Sequence, residues 1–414
     1  MDKVFTKKNP IIRGKGICDP HMHVFNDRVY LYATHDYSVD NKGYVMKDWQ
    51  IWSSADLIEW THESIFRPED TYIGPSDRCW ATDAAERNGK YYFYFSNGTD
   101  NTGVAVSDNP GGPFKDALGR PMLDGSNSPT KEYDPAIFID DDENATPYII
   151  FGTPKWAGGD SYYIARLNED MVSLAEKPRK VIVDDPADDK PSLNKYKGKY
   201  YLTWASFYAI SDTVYGPYKL IGNHGASPDH GSYFEWKNQW FNAFTILDPT
   251  LHHRASGLCY VHFRENGEMV TDQLIVEYGV GQYNAEWDKI QAEWYMAAEG
   301  NEKGENPRRG FDIIKITDGS YLYYPNIHNI KENTGIHFYA ACGNNTGGMI
   351  EIRADAPNGK LLGTCQVTPT GSWNWWGYRS FTCNLNNTSG CKNLYLVFRG
   401  EGDDILHLDW FSFF

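Results

Sequence analysis

The chain has 414 residues, 55 acidic and 39 basic side chains, a net charge of −16 and 15% aromatic residues, with 29 Tyr and 14 Trp among them. This length suits two domains of roughly 290 and 120 residues better than one core. The acidic excess argues against nucleic acid or an anionic membrane surface as partner, because phosphate binding relies on clustered Lys and Arg, and it suits a neutral substrate. No apolar run approaches the roughly 18 residues of a membrane span. The opening MDKVFTKKNP lacks the apolar stretch of a signal peptide, which leaves the compartment open.

In chain order, a polar or acidic residue leads five times through a turn into a dense aromatic run. Asp19 precedes VYLYATHD, Asp83 precedes KYYFYFSNG, Asp134 precedes PYIIFG, Asp189 precedes KYYLTWASF and His230 precedes QWFNAFTIL. The matching aromatics Tyr30, Tyr92, Tyr148, Tyr201 and Phe241 are 62, 56, 53 and 40 residues apart. That is the length of one four-stranded sheet with its loops, and it predicts five blades of a β-propeller. Turn signals at 26–28 (NDR), 87–90 (RNGK), 141–144 (DDEN) and 197–199 (KGK) separate the strands, and helical periodicity is nearly absent. After the fifth copy, GVGQYNAEWDKIQAEWY changes character and a polar stretch, AAEGNEKGENPRRG, follows. A second series of strands begins there: FDIIKI, SYLYY, IHFYAAC, MIEIRAD, NLYLVFRG and ILHLDWFSFF. The expectation is an all-β chain, a five-bladed β-propeller over residues 1–286 and a β-sandwich of jelly-roll type over 287–414.

Asp19, Asp134 and Asp189 share a further feature: Pro stands one or two residues on, immediately before an apolar strand. Proline lacks a backbone donor and fixes φ, so it suits the first residue of a strand and not its middle. Each Asp is therefore expected where an inner strand opens onto the propeller axis. Carboxylates that converge raise at least one another's pKa, and a protonated acid beside an ionised base is what glycoside cleavage uses. In the inverting form, the pair stands about 6.5–9.5 Å apart to admit water. Any one such Asp alone reads as a turn residue; three in register favour chemistry. Asp83 fits capping or pairing as well as a place at the site. His230 fits a hydrogen-bonded core histidine, a ligand to an axial cation or a substrate contact. Arg254, in HHR at 252–254, either reaches the axis as a cation beside the carboxylates or pairs on the surface. Four of the seven cysteines (Cys342, Cys365, Cys383, Cys391) crowd the last 75 residues, where one bridge and free thiols are both open. No Cys/His zinc spacing and no G-x-S-x-G elbow occurs.

The series DPHMHVFNDRVYLYATHD, WATDAAERNGKYYFYFS, YDPAIFIDDDENATPYIIFG, DKPSLNKYKGKYYLTWA and HGSYFEWKNQWFNAF resembles glycoside hydrolase family 43 over roughly residues 10–285. The remainder, from IQAEWY through GTCQV and SWNWWGY to LHLDWFSFF, resembles a family 6 carbohydrate-binding module. The resemblance implies an inverting five-bladed enzyme acting on carbohydrate, most often an α-L-arabinofuranosidase or β-xylosidase. It implies Asp19 as general base, Asp134 as the carboxylate that tunes the acid, and His230 as the axial histidine that helps to hold a calcium ion or water cluster. Trp80 would flank the sugar pocket, with Asp83 and Arg254 among the substrate contacts. The general acid departs from the family pattern, which has Glu where this chain has Asp189. Asp is one methylene shorter, about 1.5 Å, and misplacement near 1 Å can cost a hundredfold in rate. Asp189 is then the acid on a closer backbone, or Glu235 or His230 protonates the leaving group, or catalysis is weak or absent and the protein binds carbohydrate.

In the module, Trp376 fits the family's sugar-stacking Trp, whereas Lys315 and His407 stand where the pattern has Tyr and Asn. Gln291, Glu293 and Asp409 match the positions of a structural calcium, and Cys365 with Cys383 is the implied disulfide. No cofactor is implied for the chemistry. The same scaffold serves β-galactofuranosidases and exo-galactanases, and the resemblance implies an extracellular or periplasmic location.

Overall fold

Tight turns set the strand register. In a computed structural model describing residues 2–131, 134–153, 158–183, 191–226, 229–306, 308 and 310–414, the pairs Asn26–Asp27, Asn88–Gly89, Lys197–Gly198 and Lys237–Asn238 have positive φ at both positions. Such two-residue turns carry the twist of the strands they join. Each closes the first hairpin of an antiparallel meander. The first sheet runs Ile17–Phe25, Arg28–Asp36, Met46–Ser54 and Glu59–Phe66, with Lys3–Phe5 on its outer edge. Four four-stranded sheets follow, opening with Cys79–Arg87, Ala136–Ile139, Ser192–Tyr196 and Gly231–Trp236, and in each the strands are hydrogen-bonded in chain order. The opening strands of the first four sheets lie side by side in sequence order, and Ile17–Phe25 also packs against Ala255–Phe263 of the fifth.

The aromatic runs are explained by burial on both faces. In KYYFYFSN, alternate residues point to opposite sides of the strand. Tyr91, Phe93 and Phe95 pack with Tyr32, Trp49 and Phe66 of the first sheet. Tyr94, on the other face, packs with Ile149 and Phe151 of the third. Phe138, Tyr148 and Ile150 of the third sheet meet Leu193, Leu202 and Trp204 of the fourth in the same way. A fully buried ring such as Phe93 contributes roughly 1.5–3 kcal/mol, so a strand with rings on both faces binds two neighbours at once.

The chain divides into two compact units. Met1–Phe234, Phe241–Phe263 and Glu268–Gly279 form one; Glu235–Trp240, Arg264–Gly267 and Val280–Phe414 form the other. The second unit contains two antiparallel sheets. One holds Glu302–Asn306, Gly310–Ile314, His407–Phe413, Gly335–Ala341 and Arg379–Asn384, with Ile290–Gln291 paired to His407–Phe413; the other holds Ala297–Glu299, Tyr321–Tyr324, Leu394–Gly400, Gly348–Ala354 and Leu361–Val367. Tyr324 of one sheet meets Phe411 of the other edge-to-face at 4.9 Å. Cys365 and Cys383, the implied disulfide partners, are both free thiols in this structure. They are nevertheless hydrogen-bonded neighbours, and that contact pushes Cys365 up and Cys383 down. Among the described residues no helix is long and apolar enough to cross a membrane.

Stability of the first unit should depend on pH through His224. This imidazole is buried; Nε2 pairs with the Tyr233 hydroxyl, and Nδ1 has no partner among the described residues. Burial lowers its pKa from 6.5 to about 4. Between these values the unfolded chain takes up a proton that the folded chain resists. Stability should therefore fall as pH drops from about 6.5 to 4 and level off below, a loss of roughly 3 kcal/mol from this group. Urea midpoints at pH 7 and 4.5 check it: His224→Gln should lose less between the two than wild type, and equal losses would count against His224.

Candidate active site

Two aspartates stand at the heads of opening strands in an uncommon backbone conformation. Asp19 has φ +50° and Asp134 φ +57°, the left-handed region that non-glycine residues adopt only when their surroundings hold them there, at a cost of order 1–3 kcal/mol. Both precede proline. At Asp19 the ladder to the neighbouring strand slips between Cys18 and His21, so the residue is a bulge that turns its side chain inward. The Asp19 N–H donates to Thr245 Oγ1 at 2.9 Å and the Asp134 N–H to Ser96 Oγ at 2.9 Å. Both side chains are buried. His230 Nε2 lies 3.9 Å from Asp19 Oδ1 and 3.7 Å from Asp134 Oδ2, so the two carboxylates face each other across one imidazole.

Asp19 is held on its other side by Arg254, which is only 4% exposed. Nη1 donates to Asp19 Oδ1 at 2.7 Å and Nη2 to Asp19 Oδ2 at 3.1 Å, a bidentate pair. The same guanidinium donates through Nε and Nη2 to Asp36, each at 3.1 Å, and through Nη1 to Asp229 Oδ2 at 3.3 Å. Thr34 Oγ1 donates to Asp19 Oδ2 at 2.7 Å. Burial works against the Arg254 charge, but Asp19, Asp229 and Asp36 more than offset it and keep the guanidinium ionised. Burial also pushes the Asp36 carboxyl above the usual range, against the pull of Arg254. Of the two sequence options for Arg254, the interior one is observed. Asp36 and Asp229 were not singled out from the sequence, although Asp36 ends the first aromatic run and Asp229 adjoins His230.

Asp19, Asp229 and His230 each offer one ligand atom, all within 4.8 Å of one another. Calcium prefers six to eight oxygens. Here one donor is an imidazole, and both carboxylates already accept from Arg254, so the set suits water better than a calcium shell. Gln291, Glu293 and Asp409 in the second unit differ. Glu293 and Asp409 are buried, Gln291 and Asp409 line a cavity of about 380 Å³, and Gln291 Oε1 is buried with no partner among the described residues. An oxygen-only set with an orphaned oxygen fits calcium.

The remaining expected residues scatter. Trp80 is half-buried; its Nε1 donates to the Tyr44 carbonyl at 3.2 Å, and Tyr44 lies 5.2 Å from the Arg254 guanidinium. Asp83, expected among substrate contacts, is instead a buried carboxylate engaged by His21, His23 and the Ile137 N–H. Glu235 is exposed on Gly231–Trp236. Asp189 lies outside the described residues. Trp376 is 54% exposed, Lys315 pairs with Glu302 at 2.9 Å, and His407 is stacked on Trp373 and bonded to Asp404.

Comparison with known proteins agrees with this layout. Residues 7–243 match the family model "Glycosyl hydrolases family 43" and residues 291–414 match "Carbohydrate binding module (family 6)". The chain is similar to an arabinoxylan arabinofuranohydrolase of Paenibacillus polymyxa, 26% identical across all of this chain and 75% of that protein. It is also similar to a xylosidase/arabinosidase of Bacteroides ovatus, 30% identical across 64% of this chain and 98% of that protein. Among solved structures, the family 43 enzyme of Xanthomonas citri complexed with xylose matches 65% of this chain and 93% of its own, with TM-score 0.56 and 26% identity. The Bacillus subtilis arabinoxylan arabinofuranohydrolase in complex with cellotetraose covers 98% of this chain and 97% of its own at TM-score 0.56; at 21% identity this is a likeness of fold.

Proposed function

Since the chain belongs to glycoside hydrolase family 43, we propose that it is an inverting exo-glycosidase that removes a terminal pentose, α-L-arabinofuranose first, from a plant-type polysaccharide or oligosaccharide. The arabinofuranohydrolase and xylosidase names of its relatives support this substrate class. The five sheets are the blades of a propeller, with Asp19 and Asp134 on its axial depression, and the C-terminal sheets form a jelly-roll sandwich. The observation that carries the mechanism is the pair of buried, left-handed aspartates facing across His230.

Asp19 is the general base. It takes a proton from water attacking the anomeric carbon, while Arg254 and Thr34 fix both of its oxygens. Oδ2 accepts from both Arg254 and Thr34, so the position for water is on Oδ1, where the second contact, from the Thr245 hydroxyl, is long at 3.4 Å. Asp134 tunes and orients the acid, His230 links the two carboxylates, and Asp189 delivers the proton to the departing oxygen. Trp80, with Tyr44, walls the sugar pocket. In the sandwich, which spans residues 287–414 and follows a catalytic domain of 1–286 in the chain, the exposed Trp376 stacks on sugar. Gln291, Glu293 and Asp409 hold a calcium ion whose role is structural. An extracellular or periplasmic site of action goes with a polymeric substrate.

One observation favours a second reading, a carbohydrate-binding protein with weak catalysis: Asp189 is a methylene shorter than the family's Glu. Aryl α-L-arabinofuranoside, β-D-xyloside and β-D-galactofuranoside separate these possibilities when the first-formed anomer is followed by NMR. Arabinose released with inverted configuration is expected. Retention would overturn the mechanism, and tight oligosaccharide binding by calorimetry without hydrolysis over a day would establish the second reading.

A further inference from the structure

Asp83 lies on Cys79–Arg87, between the strand that carries Asp19 and the strand that follows Asp134. Its carboxylate is 2% exposed. Oδ1 meets His23 Nε2 at 2.6 Å and His21 Nδ1 at 3.3 Å, and accepts the Ala84 N–H at 2.7 Å. Oδ2 accepts the Ile137 N–H at 2.6 Å. His21 and His23 share one face of their strand because side chains alternate with period two. The carboxylate therefore grips the first sheet through two imidazoles and the third through backbone. Burial alone would push this carboxyl up; the charges and hydrogen bonds of His21 and His23 outweigh it and hold Asp83 well below the usual carboxylate range.

The grips fall close to the two left-handed aspartates. His21 is two residues beyond Asp19, Ile137 three beyond Asp134, and a proline stiffens each tether. We propose that Asp83 is a positioning residue, a buried strut that joins the Asp19 strand to the Asp134 strand and fixes the spacing and strained backbone of the two site carboxylates. The inference rests on the catalytic reading of Asp19 and Asp134. Asp83 itself does not touch sugar, since Oδ1 already serves three donors and the group is sealed from solvent.

The test compares wild type, Asp83→Ala, Asp83→Asn, Asp134→Asn and the Asp83→Ala/Asp134→Asn double variant, each checked for a cooperative melt. Displacement of reacting groups by about 1 Å costs on the order of a hundredfold. Asp83→Ala should therefore lower kcat by about a hundredfold with KM within about twofold. Asp83→Asn, which keeps an acceptor for the Ile137 N–H, should recover about tenfold of that loss. Because Asp83 sets the spacing of Asp19 and Asp134 together, adding Asp83→Ala to Asp134→Asn should cost less than Asp83→Ala costs the wild type. A folded Asp83→Ala with kcat within about threefold of wild type, or a double variant whose losses multiply, overturns the strut. If Asp83→Ala does not fold, Asp83→Asn decides: a loss of about tenfold in kcat at unchanged KM supports the proposal, and a kcat within about twofold of wild type overturns it. A wild type without turnover overturns the catalytic reading and the strut with it, whereas an active enzyme indifferent to Asp83 overturns the strut alone.

Discussion

Arg254→Met is expected to destabilise the first unit by roughly 3–5 kcal/mol, the usual result of removing one partner from a buried charge cluster. Methionine nearly fills the arginine stem, so the lost packing is small. What remains is electrostatic: Asp19, Asp36 and Asp229 all bond to this guanidinium and would be left without their shared cation. For a unit of this size the loss corresponds to a Tm lower by roughly 6–20 °C. A buried carboxylate deprived of its counter-charge takes up a proton, so the folded variant binds more protons than its unfolded chain and the deficit should shrink as pH falls from 7 to 5. Arg254→Lys keeps the charge but not the fork that reaches three carboxylates, and should fall between wild type and Arg254→Met. Calorimetry at the two pH values checks both points. An Arg254→Met variant melting with wild type would mean that the carboxylates need no common cation.

Much of the fold was legible because it depends on local rules. Asn88–Gly89 and Lys197–Gly198 make the tight turns their positive φ requires, and a run such as KYYFYFSN, apolar at odd and even positions alike, announces a strand buried on both faces. The Asp–Pro pairs were legible for the same reason: proline restricts its own φ, so the residue before a strand stands out. What links distant strands was not. Arg254 reaches Asp36 across 218 residues, and nothing near HHR distinguishes that guanidinium from a surface one. For Asp83 the sequence left pairing and a place at the site both open, and pairing is what is observed, with His21 and His23. Those histidines stood in plain view two positions apart in PHMH; only the neighbouring strand reveals what they face.

Both left-handed aspartates are held by groups from other strands: Asp19 by Thr245, Thr34 and Arg254, Asp134 by Ser96. The backbone strain and the buried charge are thus offset by the same network, which links fold stability to the geometry of the site. A substitution that removes the chemical function of Asp19 and keeps most of its bonds separates the two contributions.

Asp19→Asn is that substitution. It should leave KM near that of wild type, lower the melting temperature by roughly 3–6 °C for the one lost charged hydrogen bond, and lower kcat by up to roughly ten-thousand-fold, the upper range for loss of a general base. The amide is isosteric and its oxygen still accepts the 2.7 Å bond from Arg254, while the new NH2 replaces the oxygen that accepted the 3.1 Å bond, so the fork keeps one of its two bonds. The Thr34 hydroxyl can reverse its role, accepting from the new NH2 while donating to the Cys18 carbonyl, already 3.2 Å away. The amide cannot remove a proton from water. Azide, which needs no deprotonation to attack carbon, should therefore restore turnover and yield a glycosyl azide of inverted configuration. Neither effect is expected if Asp19 only supports the fold: the rate would then follow the folded fraction, and azide would change nothing. A folded Asp19→Asn with wild-type kcat would remove the base from the mechanism.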